Sequence, residues 1–245
     1  MSGLEKDKDA LRQQWNQLIC VFIYLADEHL AMRLGLNPLL PEGSSEAVRN
    51  RFSTTFASLL PDSALWESYY DLHAETRKAR TLFQSLKKAG WPTTANVDIL
   101  PDLEHIERGL SRWRLHHAYL NPSMYFSLRT ATSPCNGELI TTGESKLLSV
   151  WLDLEYHYSV MYSFAPANYA LHNHPTAEMT EQTAAALSRL DNQASQASHQ
   201  MLSIVINVLE PSRLMKYLPV RCWLFLVAAN LHLLKVSPVA PNHVM

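Results

Sequence analysis

The sequence predicts an all-α fold, a bundle of about seven long helices. Apolar residues recur every three or four positions through most of the chain, which is the period of a helix with a buried face. The chain has 7 glycines, and its 13 prolines fall mostly between the periodic segments. No stretch alternates convincingly as a strand does, so an α/β enzyme fold is disfavoured. No linker divides the 245 residues, and we predict one domain over residues 1–245.

The first helix is predicted from about residue 5 to Leu34. Ser2 and Glu5 have capping-box spacing, and Gly35 stands where a left-handed C-terminal cap is needed. Its main apolar face consists of Ile19, Phe22, Ile23, Ala26, Leu30 and Leu34. A second, mostly apolar face holds Cys20, Tyr24 and Ala31 and is interrupted by Asp27. We therefore expect this helix to be covered on more than one side, with Asp27 hydrogen-bonded or paired.

Six further helices follow from the same period and from Ser, Thr, Asp and Pro at their starts. The second is predicted from Ser44 or Ser45 to Pro61, and the third from Asp62 or Ser63 to Gly90. The fourth starts at Pro101 and stops before Asn121-Pro122. The fifth starts at Thr142, with Pro166 just beyond its end. The sixth spans about 176–209, and the last runs from Pro219 to about Lys235.

Residues 123–142 interrupt this pattern. The Asn136-Gly137 pair is a hairpin signal, but the flanking alternation is poor. This segment is therefore predicted to be either an irregular loop or a hairpin-like loop.

Charge and cysteine usage exclude several classes of protein. A formal net charge of -2 gives no basic field for a phosphate backbone, so we expect no direct nucleic-acid contact. The 3 cysteines are scattered, which argues against a disulfide framework and a zinc finger. The uncharged run from Cys222 to Leu234 is shorter than the roughly 20 residues of a membrane span. We expect a soluble protein with no membrane partner.

No catalytic motif is visible in the sequence. It contains no G-x-S-x-G, no G-x-G-x-x-G after a strand and no phosphate-binding loop. His172 and His174 are two residues apart, but no further ligand stands at metal-site spacing, and a polar loop explains them. We predict no catalytic residue, no cofactor and no metal, and a helical enzyme with a His172/His174 metal is the third-ranked alternative.

Two groups of side chains fit either a structural or a functional role. The basic residues Arg77, Lys78, Arg80, Lys87 and Lys88 are predicted to solvate the outer face of their helix, with a phosphate-contacting surface as the alternative. The aromatic residues are numerous enough to line an effector cavity and would serve equally as core. They are Tyr69, Tyr70, Trp113, Trp151, Tyr156, Tyr158 and Tyr162.

Two stretches resemble the middle homology region of fungal binuclear zinc-cluster transcription factors. The first is YLADEHLAMRLG, where an aromatic residue, an Asp and L-x-x-R-L-G are matched by Tyr24, Asp27, Leu30, Arg33, Leu34 and Gly35. The second is residues 211–236, PSRLMKYLPVRCWLFLVAANLHLLKV, where a Leu-Pro step leads into an apolar helix that ends in Leu234 and Lys235. The resemblance implies an all-helical regulatory domain in which Asp27 and Arg33 tie a core helix to neighbouring helices or loops.

The family's DNA-binding module has no counterpart in the sequence. That module needs six cysteines and two zinc ions near the N-terminus, so zinc is expected only in a missing N-terminal module. We expect either a piece of a larger regulator, with a partial middle homology region, or a stand-alone relative without a DNA-binding module.

The resemblance implies a nuclear regulatory domain that controls an activator through protein contacts or small-molecule sensing. Its partners would be other chains of the transcription machinery or a homologous regulator, with a small-molecule effector. The alternative is a stand-alone helical interaction scaffold unrelated to transcription.

Overall fold

The computed structural model describes residues 63–90, 98–117, 143–173, 179–218 and 220–236, together with single positions and short runs between 12 and 39. All regular structure within these described ranges is helical, which confirms the predicted all-α class. The helix predicted to end at Pro61 and the loop at 123–142 lie outside the described residues. The count of seven helices therefore stays a prediction.

The chain separates into two compact units, Met1–Gln84 and Ser85–Met245. The first unit contains α1, whose described helical residues fall between positions 12 and 31, and most of α2, Ser63–Lys88. The second contains α3, Leu100–His116; α4, Gly143–Asn173; α5, Glu181–Ile204; and α6, Val220–Val236. The boundary falls inside α2, where no change in composition marks it. The expectation of one domain over residues 1–245 stays a prediction.

The helical period of the sequence predicts that α2 buries a stripe formed by Leu65, Tyr69, Leu72, Thr76, Ala79, Phe83 and Leu86, and the structure follows it closely. Leu65, Tyr69, Leu72, Thr76, Ala79 and Leu86 are buried, and Phe83 is half-buried. After Lys88 the chain turns at Gly90, whose φ of 82° lies in the left-handed region that favours glycine. The predicted stop signal therefore lies where the helix ends.

The ends of α3 and α5 show how local chemistry sets helix boundaries. Pro101 occupies the first turn of α3, as predicted, because the amide that proline lacks has no partner there. The start of α5 lies later than the predicted residue 176. The Thr180 hydroxyl caps it by accepting a hydrogen bond from the Thr183 amide at 3.2 Å. At its other end, α5 continues into a π-helical turn, Val205–Leu209, just before Pro211.

Helix α4 passes through Pro166, so the predicted end of this helix was wrong. Proline removes one backbone hydrogen bond and costs about 3 kcal/mol or more inside a helix. Packing outweighs that cost, because Phe164, Ala167 and Ala170 are buried on both sides of the buried proline. His172 consequently lies in the last turn of α4 and not in a loop.

Helix α1 buries two residues of its second predicted face, Tyr24 and Ala31, whereas its main predicted face is exposed. The residues at four of the predicted core positions are exposed: Ile19, Ile23, Ala26 and Leu30. Tyr24, Glu28 and Ala31 are buried in their place. The reason is electrostatic, because a carboxylate turned inward needs cationic partners, and α2 supplies two for Glu28.

The core of the second unit forms where α4 packs along α5 and α6 packs against both. The Tyr158 and Phe225 rings stack across α4 and α6 with centroids 4.1 Å apart. Only one face of α6 joins this core: Cys222, Phe225 and Ala229 are fully buried. The opposite face is an exposed apolar row formed by Val220, Trp223, Leu224, Val227, Leu231 and Leu234. Among the described helices, none has the length and hydropathy required to cross a bilayer.

Candidate functional site

The residues that match the family motif occupy three different environments on α1. Tyr24 is buried, its ring lies 6.4 Å from that of Tyr70, and its hydroxyl accepts a hydrogen bond from Arg77. Asp27 is half-buried and its Oδ1 accepts a hydrogen bond from the Leu39 amide at 3.1 Å, which ties the helix to the chain that follows it. Leu30 is exposed. Arg33, Leu34 and Gly35 lie outside the described residues.

A buried ion cluster beside Tyr24 gives the first unit an unusual charge balance. Glu28 pairs with Arg80, and its Oε1 lies 3.4 Å from the Arg77 Nε. Arg80 is 3% exposed, so the prediction that it solvates the outer face of its helix was wrong. Burial and the neighbouring charge of Arg80 both lower the pKa of Arg77. Two guanidinium groups thus share one carboxylate, an arrangement that fixes α1 against α2.

The second unit holds a cavity of about 350 Å³ between α3, α4 and α5. This volume falls within the roughly 300 to 1,000 Å³ of small-molecule sites. Its apolar lining comes from all three helices and consists of Leu110, Val160, Phe164 and Ala197, each of them buried. The polar groups lie around this apolar surface, so the cavity has the mixed lining that a specific ligand site requires.

Glu107 is the only carboxylate among the described residues that line the cavity. Arg189 binds both of its oxygens, with Nη2 2.9 Å from Oε2, and Gln193 donates an amide N–H to Oε1 at 2.8 Å. Burial alone would raise the pKa of Glu107, but these hydrogen bonds outweigh burial and lower it. Glu107 is therefore ionised at neutral pH, and its charge is balanced by Arg189.

His157 lines the same cavity and is held in its neutral form. Burial lowers its pKa to about 4, against an opposing effect of the Asp153 charge and with a further contribution from Arg114. Asp153 Oδ1 accepts a hydrogen bond from Arg114 Nη1 at 2.7 Å, whereas it lies 3.7 Å from His157 Nε2. Because the Asp153 carboxylate is paired with Arg114, the His157 imidazole lacks the close counter-ion that would keep it protonated.

Tyr156 closes one side of the cavity in a stack of three groups. Its ring lies parallel to that of Trp113 with centroids 5.2 Å apart, and the Arg114 guanidinium carbon lies 4.5 Å from its centroid. Burial raises the pKa of Tyr156, so the phenol stays protonated at neutral pH. Of the aromatic residues left open between core and cavity, Tyr156 lines the cavity, whereas Tyr69 and Tyr158 are buried core residues.

The histidines weighed as metal ligands do not come together in the part of the chain that the structure describes. No group of three or more His, Cys, Asp or Glu side chains in these ranges has the geometry to hold a metal ion. His174 and the side chain of His172 lie outside them. His105 and His116 are exposed on α3, and His117 follows that helix and packs 5.2 Å from Trp113.

The sequence did not reveal the polar residues that define the ion cluster of the first unit and the cavity of the second. No sequence pattern assigned a role to Glu28, Glu107 or His157. A charged residue at a helical position that also falls on a buried face was the signal available for Glu28. No protein-family model, no curated protein and no solved structure matches this chain.

Proposed function

We propose that residues 1–245 are a regulatory domain of a fungal zinc-cluster-type transcription regulator, act in the nucleus and do not themselves contact DNA. Its task is to control an attached or partnered activator through protein contacts or small-molecule sensing, without catalysis. The support from sequence is the order of two stretches, residues 24–35 and 211–236, each similar to part of the family's middle homology region. The all-helical fold agrees with that similarity.

The cavity between α3, α4 and α5 is the observation that favours a sensing role. Its lining comes from three successive helices, so a ligand bound there would stabilise one arrangement of the three. Such a ligand shifts a two-state equilibrium only by its differential affinity for the two states. A regulatory domain needs a link of this kind between a small molecule and the surface presented to a protein partner.

A stand-alone interaction scaffold is the second candidate, and the exposed apolar rows on α1 and α6 favour it. Ile19, Ile23, Ala26 and Leu30 form a row on α1, and α6 presents six apolar side chains on its exposed face. Contiguous exposed apolar surface of this type is typical of protein contacts. This alternative requires no role in transcription.

A tethering experiment distinguishes the two candidates. The 245-residue chain is fused to an unrelated DNA-binding domain in a fungal cell, and transcription of a reporter with the matching site is measured. A regulatory domain changes transcription relative to the DNA-binding domain alone. The control is the Phe225→Ala fusion, in which loss of a fully buried ring disrupts the second unit and is expected to abolish the change. Unchanged transcription from a stable nuclear fusion would favour the scaffold.

A further inference from the structure

We infer that the cavity between α3, α4 and α5 binds an uncharged small molecule that has an apolar ring or chain and a group that both donates and accepts hydrogen bonds. This inference names the class of ligand for the proposed sensing role. Only the biological purpose of the binding rests on the proposed function. The chemical argument depends on the lining residues alone, and binding is measured without reference to transcription.

The charge balance of the lining selects against ionic ligands. The carboxylate of Glu107 is bound on both oxygens by Arg189 and on one of them by Gln193. Arg114, which lies beside the cavity over the Tyr156 ring, is engaged by Asp153. An anion or a cation that entered would find its natural counter-ion among these groups already paired.

The lining offers an uncharged ligand both an apolar surface and hydrogen bonds. Leu110, Val160, Phe164 and Ala197 contribute the apolar surface. The neutral imidazole of His157 carries one donor and one acceptor. The Gln193 amide nitrogen donates to Glu107, and the same side chain carries a carbonyl oxygen that can accept a hydrogen bond. Gln196 and Gln200 are exposed and place two further amides at the solvent side of the cavity.

A set of three probes with the same ring system tests this inference on the full chain. The probes are naphthalene-2-carboxamide, naphthalene-2-carboxylate and naphthalen-2-ylmethylammonium, which differ chiefly in charge. Titration calorimetry at pH 7 is expected to show that the carboxamide binds about tenfold more tightly or better than either ion. Equal or tighter binding of an ion would overturn the inference of an uncharged ligand.

A matched pair of tryptophan substitutions locates the binding. Ser111 is exposed at the cavity, so Ser111→Trp blocks it without burying a new residue in the core. Ser188 is exposed on α5 and lies away from the described lining, so Ser188→Trp is the control. The first change is expected to weaken carboxamide binding about tenfold or more, and the second to leave it unchanged.

Two results would reject the cavity as the site: binding that survives Ser111→Trp, and no saturable carboxamide binding by a chain that melts cooperatively. The reporter experiment separates this failure from failure of the proposed function. Carboxamide binding without any effect of the tethered chain on transcription would reject the function and keep the site. An effect on transcription without carboxamide binding would reject the site and keep the function.

Discussion

Glu28 and Arg80 form an ion pair between residues 52 positions apart in sequence, with side chains 8% and 4% exposed. Arg77 lies one helical turn before Arg80 and faces the same carboxylate. Replacing such a group with apolar residues of equal volume is often neutral, whereas removing one partner leaves a buried charge without compensation. The cluster therefore specifies which face of α1 lies against α2 more than it adds net stability.

Glu28→Gln is expected to destabilise the first unit by about 3 to 5 kcal/mol, because the buried Arg80 and the half-buried Arg77 then lose the carboxylate that they share. Urea unfolding followed by circular dichroism measures the change. The control is Asp27→Asn, which keeps an acceptor for the exposed hydrogen bond from the Leu39 amide and is expected to cost about 1 kcal/mol or less. Equal losses in the two variants would contradict the burial of Glu28.

His157 is expected to make the stability of the second unit fall in acid. Its pKa is lowered from 6.5 to about 4 in the folded protein, so the unfolded chain takes up the proton first as the pH falls. The contribution of His157 to the free energy of unfolding is on the order of 3 kcal/mol. It is fully present above about pH 6.5 and is lost as the pH falls from about 6.5 to about 4. The free energy of unfolding is measured across this range for the wild type and for His157→Gln. A constant difference between the two curves would contradict the lowered pKa.

Arg114→Met is expected to raise the pKa of His157 above about 4. The substitution removes a positive charge that lowers this pKa and frees the Asp153 carboxylate, whose charge raises it. Burial is the largest cause and persists, so the pKa is expected to remain below 6.5. An NMR titration of the imidazole protons follows the change. Arg112→Met, which removes an exposed charge from the same helix, is the control that should leave the His157 pKa in place.

Phe225→Ala and Trp223→Ala test which face of α6 lies in the core. Phe225 is fully buried and stacks on Tyr158, so its truncation is expected to cost about 3 to 5 kcal/mol. Trp223 is 45% exposed, so its truncation is expected to cost about 1 kcal/mol or less. Thermal unfolding measures both losses. A larger loss for Trp223→Ala would mean that the apolar row on α6 is covered in the protein.

The sequence predicted the helices where local signals and packing agree. The stripe of α2 and the Pro101 start of α3 were confirmed because each depends on residues within a few positions of one another. The prediction failed at Pro166, where a local stop signal opposes packing between distant segments. It failed in part on α1, where two faces were expected to be covered and only Tyr24 and Ala31 of the second are buried, because periodicity does not show which of two apolar faces meets a neighbour.

By itself the sequence determined the all-α class, because the 3.6-residue period and the scarcity of glycine are properties of the chain alone. Tertiary structure decided which charges are buried and what each of them faces. Glu28 pairs with Arg80, and Glu107 pairs with Arg189. Asp153 pairs with Arg114 more closely than with His157. These pairs join residues far apart in sequence, and the free energy of a charged group depends on its burial and on the group that the fold places beside it.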